Sequence, residues 1–262
     1  MKIARIEQFH VDGGWDDWSF LKLTTDDGLV GWSEFNQSRG RRGLAAVVHG
    51  MADLVMGEDP RGVGRLSARL YALTQMTAGG LQALAIGAYE NACLDLKAKA
   101  LGIPVCELFG GALRSELPVY WSHFGMYRAR NLDLFERVIG QAPVRGLDDL
   151  KRLAEEAARR GFRALKTNLL VFQDGKPATI GRGTGAFELN IDHAIEQRVV
   201  DQLAALREGG GPGMGLMMDL NFNYKTEGLR RLARAVEPLA LTWLEMDSHY
   251  PDALGLIRRT TS

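Results

Sequence analysis

Gly215-Leu216-Met217-Met218-Asp219-Leu220-Asn221 is the stretch on which the fold turns. It is a short apolar run that ends in an acid, the length of a buried strand rather than of a helix. Before it, Asn190 to Glu208 sets Ile195, Val199, Leu203 and Leu206 at helical spacing, and after it Thr226 to Val236 reads as a helix halted before Pro238. The pattern repeats on either side. Phe162 to Asn168 is a strand preceded by a helix whose inner face is Leu150, Leu153, Ala154 and Ala157, with Asp148 as its cap and Gly161 as its end. Leu239 to Glu245 is a strand followed by Pro251 in the first turn of a last helix. Pro118-Val119-Tyr120-Trp121-Ser122 reads as the first strand of the series. Strands alternating with helices predict βα units and a parallel sheet, either doubly wound or a (β/α) barrel. Val171 to Glu188 breaks the rhythm; it is rich in glycine and polar residues and long for a βα loop, which makes it an active-site loop or a mobile segment.

The first part of the chain follows another rule. Lys2 to Val11, Trp18 to Thr25 and Leu29 to Glu34 are strand-like, and Asp26-Asp27-Gly28 between the last two is a hairpin turn. A polar loop, Asn36 to Gly43, carries Arg39, Arg41 and Arg42. Thr77 to Leu101 then reads as a helix with Leu81, Leu84, Ala85, Ala88, Ala92 and Leu96 on one face, closed by Gly102 with Pro104 beyond. Residues 1–112 are therefore an α+β domain, and residues 113–262 an α/β one.

Composition narrows the function. Of 262 residues 46% are hydrophobic and 24% charged, with 32 basic against 32 acidic side chains, which excludes a disordered tail and, by its zero net charge, a general nucleic-acid binder. Cys93 and Cys106 are too few for a disulfide framework and read as buried, reduced thiols. No run of roughly 18 apolar residues suggests a membrane span, and no signal peptide is visible, so the cytosol is the default compartment.

In a parallel α/β sheet the ligand site lies at the carboxyl ends of the strands. Here those ends are Lys166-Thr167-Asn168, Asp219-Leu220-Asn221 and Glu245-Met246-Asp247. Asp219 and Glu245 are 26 residues apart, one βα unit, and so fall on neighbouring strands. Two carboxylates on one rim need positive charge between them. Mg²⁺ with hard oxygen ligands satisfies that need, and so does an ordinary pairing with lysine or arginine. Lys166 sits inside an apolar strand and points into the same mouth; it reads either as a base whose pKa is lowered by desolvation and a nearby dication, or as a simple partner of Asp219. His123, just after the first strand, is either a substrate contact or a hydrogen-bonded surface histidine.

These segments resemble the enolase superfamily, in its mandelate racemase and muconate-lactonizing branch. The resemblance is carried by Thr24 to Glu34, by Ala92 to Gly111 with its Asp95-Leu96-Lys97 and Leu108-Phe109-Gly110-Gly111, and by the strands ending in Lys166, Asp219-Leu220-Asn221 and Trp243-Leu244-Glu245. It implies an N-terminal α+β capping domain followed by an α/β modified TIM barrel of the (β/α)7β type. It implies Mg²⁺ held by acids on strands three, four and five, and removal of the proton α to a carboxylate through an enediolate. By position, Asp219 and Glu245 are the first two metal ligands and Lys166 is the first, catalytic lysine of a Lys-x-Lys motif. Asn168, Asn221, His123 and the cap-loop residues Trp15 and Trp18 are substrate contacts. The implied partners are a small carboxylate substrate and further copies of the chain in a homo-oligomer, with no nucleic acid and no membrane.

Three departures shape the expectation. Asn168 stands where racemases of this branch carry their second lysine, and an amide cannot abstract a proton, which favours a one-base dehydratase over a two-base racemase or epimerase. Glu245 is followed by Met246-Asp247 instead of proline. The third ligand and an Asp-His pair are expected beyond Ser262, so the chain is expected to hold about four strands of an eight-stranded barrel and to be truncated, completed by another chain or a non-catalytic binding relative. A nucleotide-binding reading rests on Gly181-Arg182-Gly183-Thr184-Gly185, which lacks the fingerprint spacing.

Overall fold

The computed structural model describes residues 1–38, 41–178, 189–221 and 224–261. The chain divides into two compact units, Met1–Glu116 and Leu117–Ser262.

The N-terminal unit is built on an antiparallel sheet, β1 (Ile3–Asp12), β2 (Asp17–Thr25) and β3 (Val30–Phe35), in sequential order. In β2 the alternation is plain: Ser19, Leu21, Leu23 and Thr25 are buried, while the residues between them face outward. The buried face meets α1 (Leu44–Gly50), α2 (Ala52–Val55), α3 (Val63–Leu73) and the long α4 (Gly80–Leu101) in one core containing Ile3, Leu21, Leu23, Val48, Leu70 and Tyr89. The buried side of α4 is Ala85, Ile86, Ala88, Tyr89, Ala92, Cys93 and Leu96, whereas Leu84, expected on that face, is 43% exposed. Small residues dominate because the strands come close: a Cβ on Gly31 would lie 2.5 Å from the Ala92 carbonyl oxygen and the Leu96 Cγ. Cys93 is buried as expected, but Cys106 is exposed, because it lies in the short turn Val105–Phe109 whose neighbours also face water.

The C-terminal unit holds a three-stranded parallel sheet in the order β4-β7-β8, formed by β4 (Ala164–Asn168), β7 (Gly215–Asp219) and β8 (Trp243–Glu245). Between the first two lies a small hairpin, β5 (Val171–Gln173) and β6 (Lys176–Ala178), turned by Asp174 and Gly175, both at positive φ. Helices α6 (Leu147–Arg159), α7 (His193–Gly210) and α8 (Thr226–Val236) line one face of the sheet, and α9 (Pro251–Thr260) follows β8. Leu150, Leu153, Ala154 and Ala157 of α6 bury against Leu165 and Leu216, while Val199 and Leu203 of α7 join Met218, Leu229 and Leu232. Among the described residues no helix is long and apolar enough to cross a membrane.

The boundaries correct the sequence reading in four places. Pro118–Ser122 is not a strand of four or five paired residues; it contributes the single parallel bridge Trp121↔Leu165, and His123 at φ 49° turns the chain away at once into α5 (Met126–Arg130). Helix α6 starts without Asp148 as its cap; the Asp149 carboxylate instead accepts from the Arg145 backbone N–H at 2.7 Å. Helix α7 starts at His193 rather than Asn190, since the Asp192 side chain caps it by accepting from Ile195 N. Strand β8 begins at Trp243, because Ala240 at φ 48° ends the preceding turn. Of Val171 to Glu188, the described part is the β5–β6 hairpin; Arg39 and the Gly181–Gly185 run lie outside the described residues.

Arg128 of α5, 7% exposed at its side chain, is clamped to Glu156 of α6 at 3.1 Å, and both Arg128 and Arg160 stack on the Trp121 ring. Burial pushes the Glu156 carboxyl up, but hydrogen bonds and charge from Arg128, then Arg160, outweigh it and hold the group below the ordinary carboxylate range. A depressed folded-state pKa gives stability that is present above the unfolded value, about 4.3, and is lost as pH falls through the folded one. Urea unfolding of the C-terminal unit should therefore weaken below about pH 4.3, and Glu156→Gln should be weaker near neutrality with a flatter acid limb. In the other unit, Gly31→Ala should lower unfolding stability by about 1–3 kcal/mol through overpacking against α4.

Candidate functional site

The register of the parallel sheet determines what meets at its end. Asn168 pairs with Asp219 and Asp219 with Glu245, so these three side chains share one level and one face, while Lys166, Met217 and Trp243 form the level below. Leu165, Thr167, Leu216 and Met218, one residue out of step, point into the buried core. Lys166 starts about two residues, roughly 6.6 Å, beneath the carboxylates, a span its four-carbon stem covers.

Its ammonium ends between them. Lys166 Nζ is 2.8 Å from Glu245 Oε2 and 3.3 Å from Asp219 Oδ2. The other oxygen of Asp219, Oδ1, accepts from the Asn221 backbone N–H at 2.9 Å and from Asn221 Nδ2 at 2.5 Å. Asn221 reaches that position by adopting φ 56°, a conformation asparagine tolerates better than most residues. Asn168 Nδ2 donates to the Asp219 backbone carbonyl at 3.0 Å, and Leu220 N donates to the Glu245 carbonyl at 2.9 Å, so the strand ends are laced together beyond the ladder. Lys166 and Asp219 are mostly buried, whereas Glu245 is 37% exposed.

Of the two sequence readings of Lys166, the geometry shows the pairing with Asp219, joined by Glu245. Burial pulls its pKa down, but the hydrogen bond to Glu245 and the charges of Asp219 and Glu245 win, and the net shift is upward. That balance is the one expected of a lysine paired with acids.

The remaining expected contacts are placed less centrally. His123 lies one turn past Trp121 with its ring 5.5 Å from that of Tyr127. Trp15 and Trp18 belong to the N-terminal unit, flanking the β1–β2 turn at 41% and 39% exposure. Arg41 and Arg42 are exposed in the same unit. Among the described residues no three His, Cys, Asp or Glu side chains converge as a ready metal cage. Two hard carboxylates with a cation already drawn between them nevertheless suit Mg²⁺, which is commonly held by one or two carboxylates and keeps several waters.

Two buried polar residues of the C-terminal unit carried no sequence signal. Gln202, wholly buried, and Arg128 are polar positions within helices, and only a helical register that put them on the inner face would have marked them.

Known proteins resemble the chain in both of its units. The model of the mandelate racemase / muconate lactonizing enzyme N-terminal domain matches residues 15–110, and that of the enolase C-terminal domain-like family matches residues 149–261. A D-galactonate dehydratase from Variovorax paradoxus (strain S110) is 28% identical over 258 residues, covering 96% of this chain and 58% of that protein. One from Xanthomonas campestris pv. campestris (strain B100) is 34% identical over 147 residues, 52% of this chain and 38% of that protein. The crystal structure of a candidate L-alanine-DL-glutamate epimerase from Burkholderia xenovorans strain LB400, bound to magnesium and fumarate, superposes with a TM-score of 0.92 at 39% identity, covering 99% of this chain and 64% of that one. The chain thus spans less than two thirds of the length of each of these relatives.

Replacing Lys166 with Met leaves two acids facing each other. Stability should fall by about 1–3 kcal/mol, less than for a fully buried pair because Glu245 is partly wet. The double variant Lys166→Met/Glu245→Gln should lose less than the two single variants summed, as read by a double-mutant cycle in urea.

Proposed function

The chain belongs to the enolase superfamily, in its mandelate racemase / muconate lactonizing enzyme branch, and from that premise we propose that it contributes to a Mg²⁺-dependent dehydratase of a sugar or hydroxy acid. The observation that carries the reading is the meeting of Asp219, Glu245 and Lys166 at the carboxyl ends of adjacent parallel strands. Asp219 and Glu245 would hold the metal, which when bound supplies positive charge beside the substrate carboxylate and so makes the neighbouring C–H more acidic.

The chain's own residues supply binding and positioning. Lys166, held as an ammonium, is the group placed to bind and stabilise negative charge on the substrate. Asn221 fixes the rotamer of Asp219 by occupying Oδ1, leaving Oδ2 directed at the mouth. Asn168 can neither give nor take a proton at its amide, and its Nδ2 is already engaged with Asp219 O. A reaction that needs one proton removed and a hydroxyl expelled suits this set better than one that needs two opposed bases. The curated relatives named as D-galactonate dehydratases support the same choice. An epimerase is the second reading, favoured by the similarity to the Burkholderia structure.

Dehydration breaks the C2–H and C3–O bonds, releases water and leaves an enol that tautomerises to a 2-oxo acid. Incubation of the protein with D-galactonate and Mg²⁺ should yield a 2-oxo acid detectable as its semicarbazone. Asp219→Asn and Glu245→Gln should each lower the rate by about 100-fold or more with unchanged circular dichroism. Deuterium appearing at C2 with inversion and no 2-oxo acid would decide for the epimerase; Mg²⁺-independent turnover would overturn both readings.

A further inference from the structure

The last carbonyl of β4, on Asn168, and the N–H of Leu170 lie where the ladder with β7 has ended. Both are met by one side chain. Gln202 of α7 donates from Nε2 to Asn168 O at 2.9 Å and to Thr167 Oγ1 at 3.1 Å, while its Oε1 accepts from Leu170 N at 2.8 Å. The Thr167 hydroxyl donates onward to Phe124 O at 3.0 Å, and Phe124 N donates to Lys166 O at 2.8 Å. Gln202 and Thr167 are both wholly buried.

A carboxamide offers a donor and an acceptor side by side, as a peptide group does, so Gln202 stands in for one more residue of a neighbouring strand. The consequence follows from the two-residue period of a strand. Thr167 is tied outward to α7, so Lys166 and Asn168 on either side of it must face the opposite way, toward Asp219 and Glu245. The backbone of Lys166 is held as well, by Lys166 N to Trp121 O at 2.9 Å.

We propose that Gln202 is a positioning residue, which fixes the end of β4 so that the Lys166 ammonium is held between Asp219 and Glu245. This rests on the reading of those three residues as the site, and it is tested without turnover, so a failed dehydratase assay leaves it standing or falling by its own result.

Intact protein is treated briefly with acetic anhydride and the modified lysines are mapped by mass spectrometry, with Lys151 of α6 and Lys99 of α4 as internal references. In the wild type Lys166 should react slowly, shielded by its two carboxylates. In Gln202→Leu, which keeps the volume but makes none of the three bonds, Lys166 should react about tenfold faster while Lys151 and Lys99 are unchanged. Gln202→Glu, which still accepts from Leu170 N but cannot donate to Asn168 O when ionised, should fall between. A purely structural role would lower the melting temperature and move all three lysines together, or leave Lys166 unmoved; either result overturns the proposal. Should both variants fail to fold, hydrogen exchange on the wild type decides: Leu170 N–H should be as protected as the amides of β7, and fast exchange there refutes the clamp.

Discussion

The strand ends of the C-terminal unit answer to one electrostatic constraint: two carboxylates, on directly paired residues of adjacent parallel strands, share the end of a sheet. Side chains at that spacing repel unless a cation stands between them. Lys166 supplies it from one level down the sheet, reaching up to both acids. A salt bridge of this sort is weak as a source of net stability, because each charge gives up water to make it. Its value lies in geometry, since each partner is confined to the rotamer that meets the others.

That geometry is only as firm as the strand ends that bear it. Strand β4 has five residues and β8 only three, and strands that short are not held in place by their ladders alone. Side chains extend the pairing past the last backbone hydrogen bond. Asn168 ties β4 to β7, Asn221 folds back on Asp219, and Gln202 closes the outer side. Below them, the apolar faces of α6, α7 and α8 bury Leu165, Leu216 and Met218, so that the polar residues alternating with these are directed to the opposite face.

Much of this was legible in the amino-acid sequence because the two governing rules are local. Apolar runs of strand length between amphipathic helices imply a parallel sheet, and the residues ending those runs imply the site; Lys166, Asp219 and Glu245 follow from nothing more. What was not legible depends on contacts between distant segments. Pro118–Ser122 has the composition of a strand but forms one bridge, because the turn at His123 ends it. Asp148 has the composition of a cap, but α6 begins before it at Leu147, and it is Asp149 that meets the incoming chain at the Arg145 N–H. Gln202 reads as an ordinary helix residue until α7 is laid against β4. For Lys166 the sequence left two readings open, because desolvation can be guessed from an apolar strand but contact with both Asp219 and Glu245 cannot.

Asn168 gains meaning from a count of charge. Asp219, Glu245 and Lys166 set two acidic groups against one basic one. A second lysine at position 168, on the same level as the two acids, would match the basic groups to the acidic ones in number and weaken the attraction for a further cation. The amide avoids this. It leaves the acids in excess while using its own N–H to brace Asp219.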